Sequence, residues 1–181
     1  TVKEPRHNQA SVIEYRRHLD GVGIDPSTEA QPDETTSNLI ASRTDPEGNA
    51  TVTRYYDDEA LGAGRARIRK NALGQFTRHA YDSLGNRTHT WGDAEYPVKH
   101  AHNEFDERVA MTTYRSGDDQ DVWTQSDWPA TPPSGDTTTW TYEEATGLLT
   151  AKTDADGEAV TYEYTAAGRM SERHWARLDP Q

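Results

Sequence analysis

The sequence predicts an all-β protein made of antiparallel β-hairpins that repeat about every 21 residues. Hydrophobic residues make up only 32% of the chain, yet it contains 5 Trp and 9 Tyr. These aromatic residues, together with abundant Thr, favour the half-buried surface of a β-sheet. Turn glycines recur at regular steps, and the segments between them alternate in polarity. We therefore expect a thin fold of hairpins with much exposed surface and no deep core.

The repeat emerges when residues 77–87 are aligned with residues 98–108. Both contain His-Ala, then Asp or Asn, then Arg, and residues 160–169 fit the same frame. The interval between the third and fourth glycine positions is nearly twice the others, so one turn is missing near residue 126. Prolines there predict an irregular loop over residues 116–136. The glycine positions are Gly62, Gly85, Asp106, Gly147 and Gly168.

A second set of turns falls between the first and has Asp or Asn in first place and Gly in fourth. This is the preference of a type I turn, in which the first side chain caps the backbone two residues on. A following Gly in the left-handed region closes the common three-residue hairpin loop. Asp106 fits such a position because Asp visits it more readily than most residues. These turns are Asp45–Gly48, Asn71–Gly74 and Asp154–Gly157.

The segments between turns alternate as strands do when one face is buried. Val160, Tyr162 and Tyr164 share one face, and residues 139–142 alternate similarly. Residues 74–85 alternate less cleanly. We predict a hairpin array over residues 38–178, interrupted at 116–136. Residues 1–37 form an irregular N-terminal segment outside the repeat, in which residues 10–19 are a short helix or an edge strand.

Composition and motifs exclude several classes of function. The net charge of −12 repels phosphate backbones, so we expect no nucleic-acid partner. The chain has no Cys, which excludes disulfides and thiolate metal sites. No apolar run is long enough to span a bilayer, so we expect no membrane insertion. We find no nucleophile elbow, phosphate-binding loop or zinc-protease helix, and therefore expect no enzyme.

Asp82 lies close to His79 in sequence, as members of a catalytic pair could. Three residues apart on a strand, however, their side chains point to opposite faces. We interpret Asp82 as the cap of a turn. His79 then occupies a strand position where the later repeat has Tyr162.

Two patterns could bind metal ions. His100 and His102 lie on one strand face, as zinc ligands can, but they fall where the later repeat has tyrosines, so we expect packing. Calcium at residues 118–121 is an alternative to a solvated acidic loop. Asp154, Asp156 and Glu158 are also oxygen-rich, but neither cluster matches an EF-hand loop. We expect no cofactor, with calcium as the alternative.

Trp123 and Trp128 flank the prolines of the irregular loop. Exposed aromatic side chains on such a loop can stack sugars or dock a partner. The alternative is that the two indoles fill the interior or cover a sheet edge. We retain both as possible ligand contacts.

The hairpin motifs resemble the YD (tyrosine-aspartate) repeats of the Rhs family over about residues 38–178. The departures are His102-Asn103 for Tyr-Asp, and Thr165 for Asp. The motifs that carry the resemblance are residues 81–87, 164–169, 44–49, 153–157 and 91–98. The structural turn residues are Asp45, Gly48, Asn71, Gly74, Tyr81, Asp82, Gly85, Asn103, Asp106, Gly147, Asp154, Gly157, Tyr164 and Gly168.

The resemblance implies a ribbon of hairpins that coils into a shell. In bacterial Rhs proteins and the C components of insecticidal toxin complexes, such a shell encloses a toxic domain, and teneurins use a similar barrel in adhesion. It implies a non-catalytic segment of a secreted or cell-surface scaffold or toxin-encapsulating shell, from a bacterium. Its partners would be neighbouring repeats of the same or an identical chain, and an enclosed toxic domain. The alternative is an adhesion or glycan-binding module that uses residues 116–136.

Overall fold

The computed structural model describes residues 11–17, 36–56, 63–115 and 120–176. They form one antiparallel sheet of twelve strands whose order in space is their order along the chain, with one four-residue helix. The all-β hairpin fold predicted from the sequence is confirmed. The strands are β1 Val12–Arg17, β2 Thr36–Thr44, β3 Ala50–Tyr55, β4 Ala66–Lys70, β5 Phe76–Tyr81, β6 Arg87–Gly92, β7 Val98–His102, β8 Arg108–Tyr114, β9 Gly135–Tyr142, β10 Leu149–Thr153, β11 Ala159–Tyr164 and β12 Met170–Trp175, and the helix is α1 Gln120–Trp123.

The hairpin period of 21 residues is present in the backbone geometry. Five turn residues with positive φ recur at steps of 21, 21, 41 and 21. The predicted first member, Gly62, lies outside the described residues, and Gly64 takes that place instead with a φ of 76°. Each of these hairpins also carries one extra residue early in its second strand, a β-bulge, with the same steps. The bulged residues are Arg67, Thr88, Val109, Thr150 and Ser171.

An excursion from the sheet occupies the doubled interval. Residues 120–134, here called the cover segment, contain α1 and the prolines and leave the sheet between β8 and β9. These two strands nevertheless pair directly, with Ala110 opposite Thr139 and Tyr114 opposite Gly135. The strand ladder is therefore continuous across the place where the sequence loses a turn.

The sheet begins earlier than residue 38, so the description of residues 1–37 as irregular is wrong for part of that segment. Strand β1 pairs with β2, with Val12 opposite Thr44. Of the two alternatives for residues 10–19, the structure has the edge strand. The sequence did not decide between the two alternatives because residues 18–35 separate this strand from β2, which is too long a separation for a hairpin turn. Residues 18–35 lie outside the described residues.

Burial is concentrated in the middle of the sheet. The cover segment lies over one face, called the cover face, where Trp91, Tyr114 and Trp123 form a buried cluster. On the opposite face His79, Thr77 and Thr90 are also buried. Strand β5 thus has buried or half-buried residues on both faces, which explains why polar and apolar residues do not alternate regularly along it. Strands β9 to β11 contain only exposed and half-buried residues, and all six residues of β12 are exposed.

Candidate functional site

The turns are closed by side-chain oxygens that cap the backbone. Asp82 Oδ1 accepts hydrogen bonds from the backbone N–H groups of Leu84, Gly85 and Asn86 at 3.1, 2.8 and 2.8 Å. Thr165 replaces Asp in the last repeat, and its Oγ1 accepts from Arg169 N at 3.3 Å. One oxygen suffices for this role, so Asn can replace Asp. Caps that bond two and four residues on are found at Asp45, Asn71, Asn103 and Asp154.

Asp82 and His79 have separate partners. Desolvation opposes ionisation of Asp82, but its hydrogen bonds from Asn86, Gly85 and Leu84 outweigh that effect and lower its pKa. His79 is 8% exposed, and its Nδ1 lies 3.3 Å from Thr90 Oγ1. Burial, then the positive charges of Arg87 and Arg69, lower the pKa of His79 to about 4. These two residues therefore stabilise a turn and a sheet, and do not form one site.

Acidification is expected to destabilise the fold through His79. Between pH 6.5 and about 4 the unfolded chain binds a proton at His79 that the folded chain excludes. The free energy of unfolding therefore falls as the pH drops below 6.5, and the loss is complete below about 4. For the whole shift we expect a loss of about 3 kcal/mol. Urea unfolding at pH 7.5, 5.5 and 4.5 measures it.

A His79→Gln protein should lose part of this pH dependence, whereas Leu73→Gln, which replaces an exposed turn residue that does not titrate, should keep it. His89, whose pKa burial also lowers to about 4, accounts for a further part. If His79→Gln retains the full pH dependence of the unmodified chain, the role given to His79 is wrong.

In four of the five hairpins that follow the 21-residue period, the first strand ends in a tyrosine whose bonding role the sequence did not reveal. Its hydroxyl donates to a carbonyl oxygen of the preceding strand and joins the two strands. The signal in the sequence is the fixed place of Tyr just before the turn; His102, at that place in β7, has no hydroxyl. The bonds are Tyr55 to Ile40 at 2.6 Å, Tyr81 to Ala66 at 3.0 Å, Tyr142 to Arg108 at 3.1 Å and Tyr164 to Leu149 at 2.8 Å.

The two tryptophans of the irregular loop belong to a packed aromatic cluster. Trp123 is 3% exposed, with its ring centroid 5.0 Å from Tyr114 and 5.1 Å from the half-buried Trp128. Trp91 donates its indole N–H to Gln125 O at 3.1 Å and fixes the cover segment to β6. The expectation that both indoles are exposed is therefore wrong for Trp123. Trp123 agrees instead with the alternative that the indoles are packed inside the protein.

A small cavity adjoins this cluster. It has a volume of about 240 Å³ and is lined by residues 92–97, Trp123 and Thr124. Ligand pockets commonly measure about 300–1,000 Å³. The cavity is thus smaller than the usual site for a small molecule.

The predicted metal patterns differ in their surroundings. The rings of His100 and His102 lie 6.4 Å apart, centroid to centroid, and no third ligand joins them within the described part of the chain. Asp154 uses its Oδ1 to cap a turn. The calcium candidate at residues 118–121 lies outside the described residues, apart from the backbone of α1. One group of three possible ligands, on β11 and β12, was not foreseen.

Comparison with known proteins agrees with the hairpin geometry. Residues 144–175 match the family model described as RHS Repeat. This part of the chain resembles an RHS repeat. The matched segment contains strands β10 to β12, with the tyrosine bond of Tyr164 and the bulge at Ser171. The bulge and the tyrosine bond of this matched segment also recur in earlier hairpins of the sheet.

One solved structure similar to this chain is a crystal structure of TcdB2-TccC3-Cdc42. The TM-score is 0.37 and the sequence identity is 16%, over 75% of this chain and 8% of that chain. The present chain thus spans about 8% of the length of that structure's chain. No curated protein matches the sequence. Among the described residues, no helix is both long and apolar enough to cross a membrane.

Proposed function

We propose that the chain is a non-catalytic structural segment of a bacterial RHS-repeat protein. It joins neighbouring repeats, of the same or an identical chain, into an extracellular scaffold or a toxin-encapsulating shell. The observation that carries this proposal is the strand order, in which every described strand pairs with its neighbours in sequence. A sheet of this kind grows by adding hairpins at its ends and has two edge strands, β1 and β12.

Strand β12 has the properties of a joining edge. All six of its residues are exposed, including Met170 at 55% and Trp175 at 63%. An edge strand presents unpaired backbone N–H and C=O groups along one side, which can pair with another strand. Exposed apolar side chains beside those groups favour such pairing. A further repeat or a second copy of the chain would cover both.

The roles of the most reactive-looking residues support a non-catalytic function. The Asp82 carboxylate oxygen that caps its turn already accepts three backbone N–H groups. His79 is buried between strands and neutral at pH 7. The alternative of a glycan-binding surface on residues 116–136 loses the exposed Trp123 on which it depended. We therefore place the function in the sheet and its edges.

Sedimentation velocity of the 181-residue chain tests the proposal. We expect reversible self-association between about 1 and 100 µM, since exposed edges pair. A Met170→Lys and Trp175→Lys double variant places charge on the edge strand and should shift the association midpoint at least about tenfold, or about 1.4 kcal/mol.

Leu73→Lys is the matched control, because Leu73 is 84% exposed on a turn away from β12. It should associate like the unmodified chain. A chain that stays monomeric at about 100 µM, or one whose association the double variant leaves unchanged, would contradict the role of the edge strand.

A further inference from the structure

Three possible metal ligands converge on one face of the last hairpin. Glu163 on β11 lies directly opposite Glu172 on β12. His174 lies two residues beyond Glu172, so its side chain projects from the same face. The register of this hairpin therefore places an imidazole beside two carboxylates.

The donor atoms already stand at distances typical of a zinc site. His174 Nε2 lies 3.4 Å from Glu163 Oε1 and 3.1 Å from Glu172 Oε2. All three ligand atoms lie within 4.8 Å of one another. Ligands bound tetrahedrally to zinc at about 2.0–2.2 Å are separated by roughly 3.4 Å. A zinc ion could thus be bound with small side-chain adjustments and no movement of the strands.

The charges of the group also favour a cation. Like charges directly opposite each other across two strands are destabilising, and Glu163 and Glu172 stand in that relation. The single hydrogen that His174 Nε2 can carry cannot serve both carboxylates well. A divalent ion would neutralise both and use the imidazole lone pair.

We propose that Glu163, Glu172 and His174 bind one zinc ion. The combination of imidazole and carboxylate suits zinc, whereas calcium requires six or more oxygen ligands. The three side chains are 63%, 61% and 52% exposed, so the fourth position faces solvent. Water, or a ligand from whatever pairs with β12, would complete the coordination. This proposal stands independently of the proposed function.

Isothermal titration of the 181-residue chain with zinc chloride tests it. We expect one saturable site, and at least about tenfold weaker binding in each of the variants Glu163→Gln, Glu172→Gln and His174→Gln. Titration with Co²⁺ should give visible absorption bands that the same variants lose. Because all three residues are exposed, circular dichroism should show an unchanged fold.

Glu158→Gln is the matched control, since it removes the same charge from an exposed residue at the other end of the same hairpin. It should bind zinc like the unmodified chain. A second control replaces His100 and His102 with Gln and should also retain binding. The proposal is overturned if no saturable binding occurs at about 100 µM zinc. Equal weakening by Glu158→Gln, or loss only in the His100 and His102 variant, would also overturn it.

Discussion

Replacing Gly92 with Ala is expected to lower the free energy of unfolding by about 4 kcal/mol or to prevent folding. Gly92 ends β6 with a φ of 137°. A Cβ atom there would stand 2.0 Å from the carbonyl oxygen of Phe76, which is backbone and cannot turn aside. To avoid this contact, either β5 and β6 must separate or the backbone of residues 92–97 must move away from Phe76. Urea unfolding monitored by circular dichroism measures the loss.

Gly157→Ala provides the control for this prediction. Gly157 also has a positive φ, of 86°, but nothing lies within 4 Å of a Cβ added there. It should lose only about 1–2 kcal/mol, the cost of the left-handed conformation. Equal losses in the two variants would show that the approach to Phe76 has no part in the effect.

Replacing Trp123 with Ala is expected to cost about 3–5 kcal/mol, as truncations of large buried aromatic residues do. Trp123 packs between Tyr114 and Trp128, and these rings attach the cover segment to the sheet. Without the indole, a cavity remains on the cover face and the contacts of Trp128 weaken. Urea unfolding measures the loss, and near-ultraviolet circular dichroism reports the packing of the remaining rings.

Trp175→Ala deletes the same side chain from an exposed position. Trp175 is 63% exposed on β12 and stacks with Arg173 at 3.9 Å, so the expected loss is below about 1 kcal/mol. A Trp123→Ala protein as stable as Trp175→Ala would show that Trp123 does not hold the cover segment on the sheet.

The hairpin array was predictable because its determinants are local. Asp or Asn followed by Gly at a fixed spacing sets most of the turns, and the turn sets which strands pair. Asp82 and Gly85 show this directly, since the cap and the positive φ lie within four residues. Sequential pairing then follows wherever a short turn joins two strands.

The aromatic cluster was not predictable in the same way. Trp91 and Gln125 are bonded across 34 residues, and no turn chemistry encodes that distance. The group on the last hairpin depends on the bulge at Ser171, which brings Glu172 rather than Ser171 opposite Glu163. A bulge shifts the pairing by one residue, so a plain alternation of faces misses such groups. For strand β1 the choice between helix and edge strand stayed open because its partner lies beyond residues 18–35.

The strand order also determines how the ribbon would respond to a pull. The two edge strands, β1 and β12, lie at opposite sides of the sheet. Tension applied across these edges would peel strands away one at a time, because the backbone ladders of the described strands join only strands that are adjacent in sequence. The cover segment adds a connection between strands that are not neighbours. It is bonded to Trp91 of β6, and its Trp123 packs on Tyr114 of β8. We therefore expect the middle of the sheet to resist tension more strongly than the parts on either side of it, whose strands separate more readily.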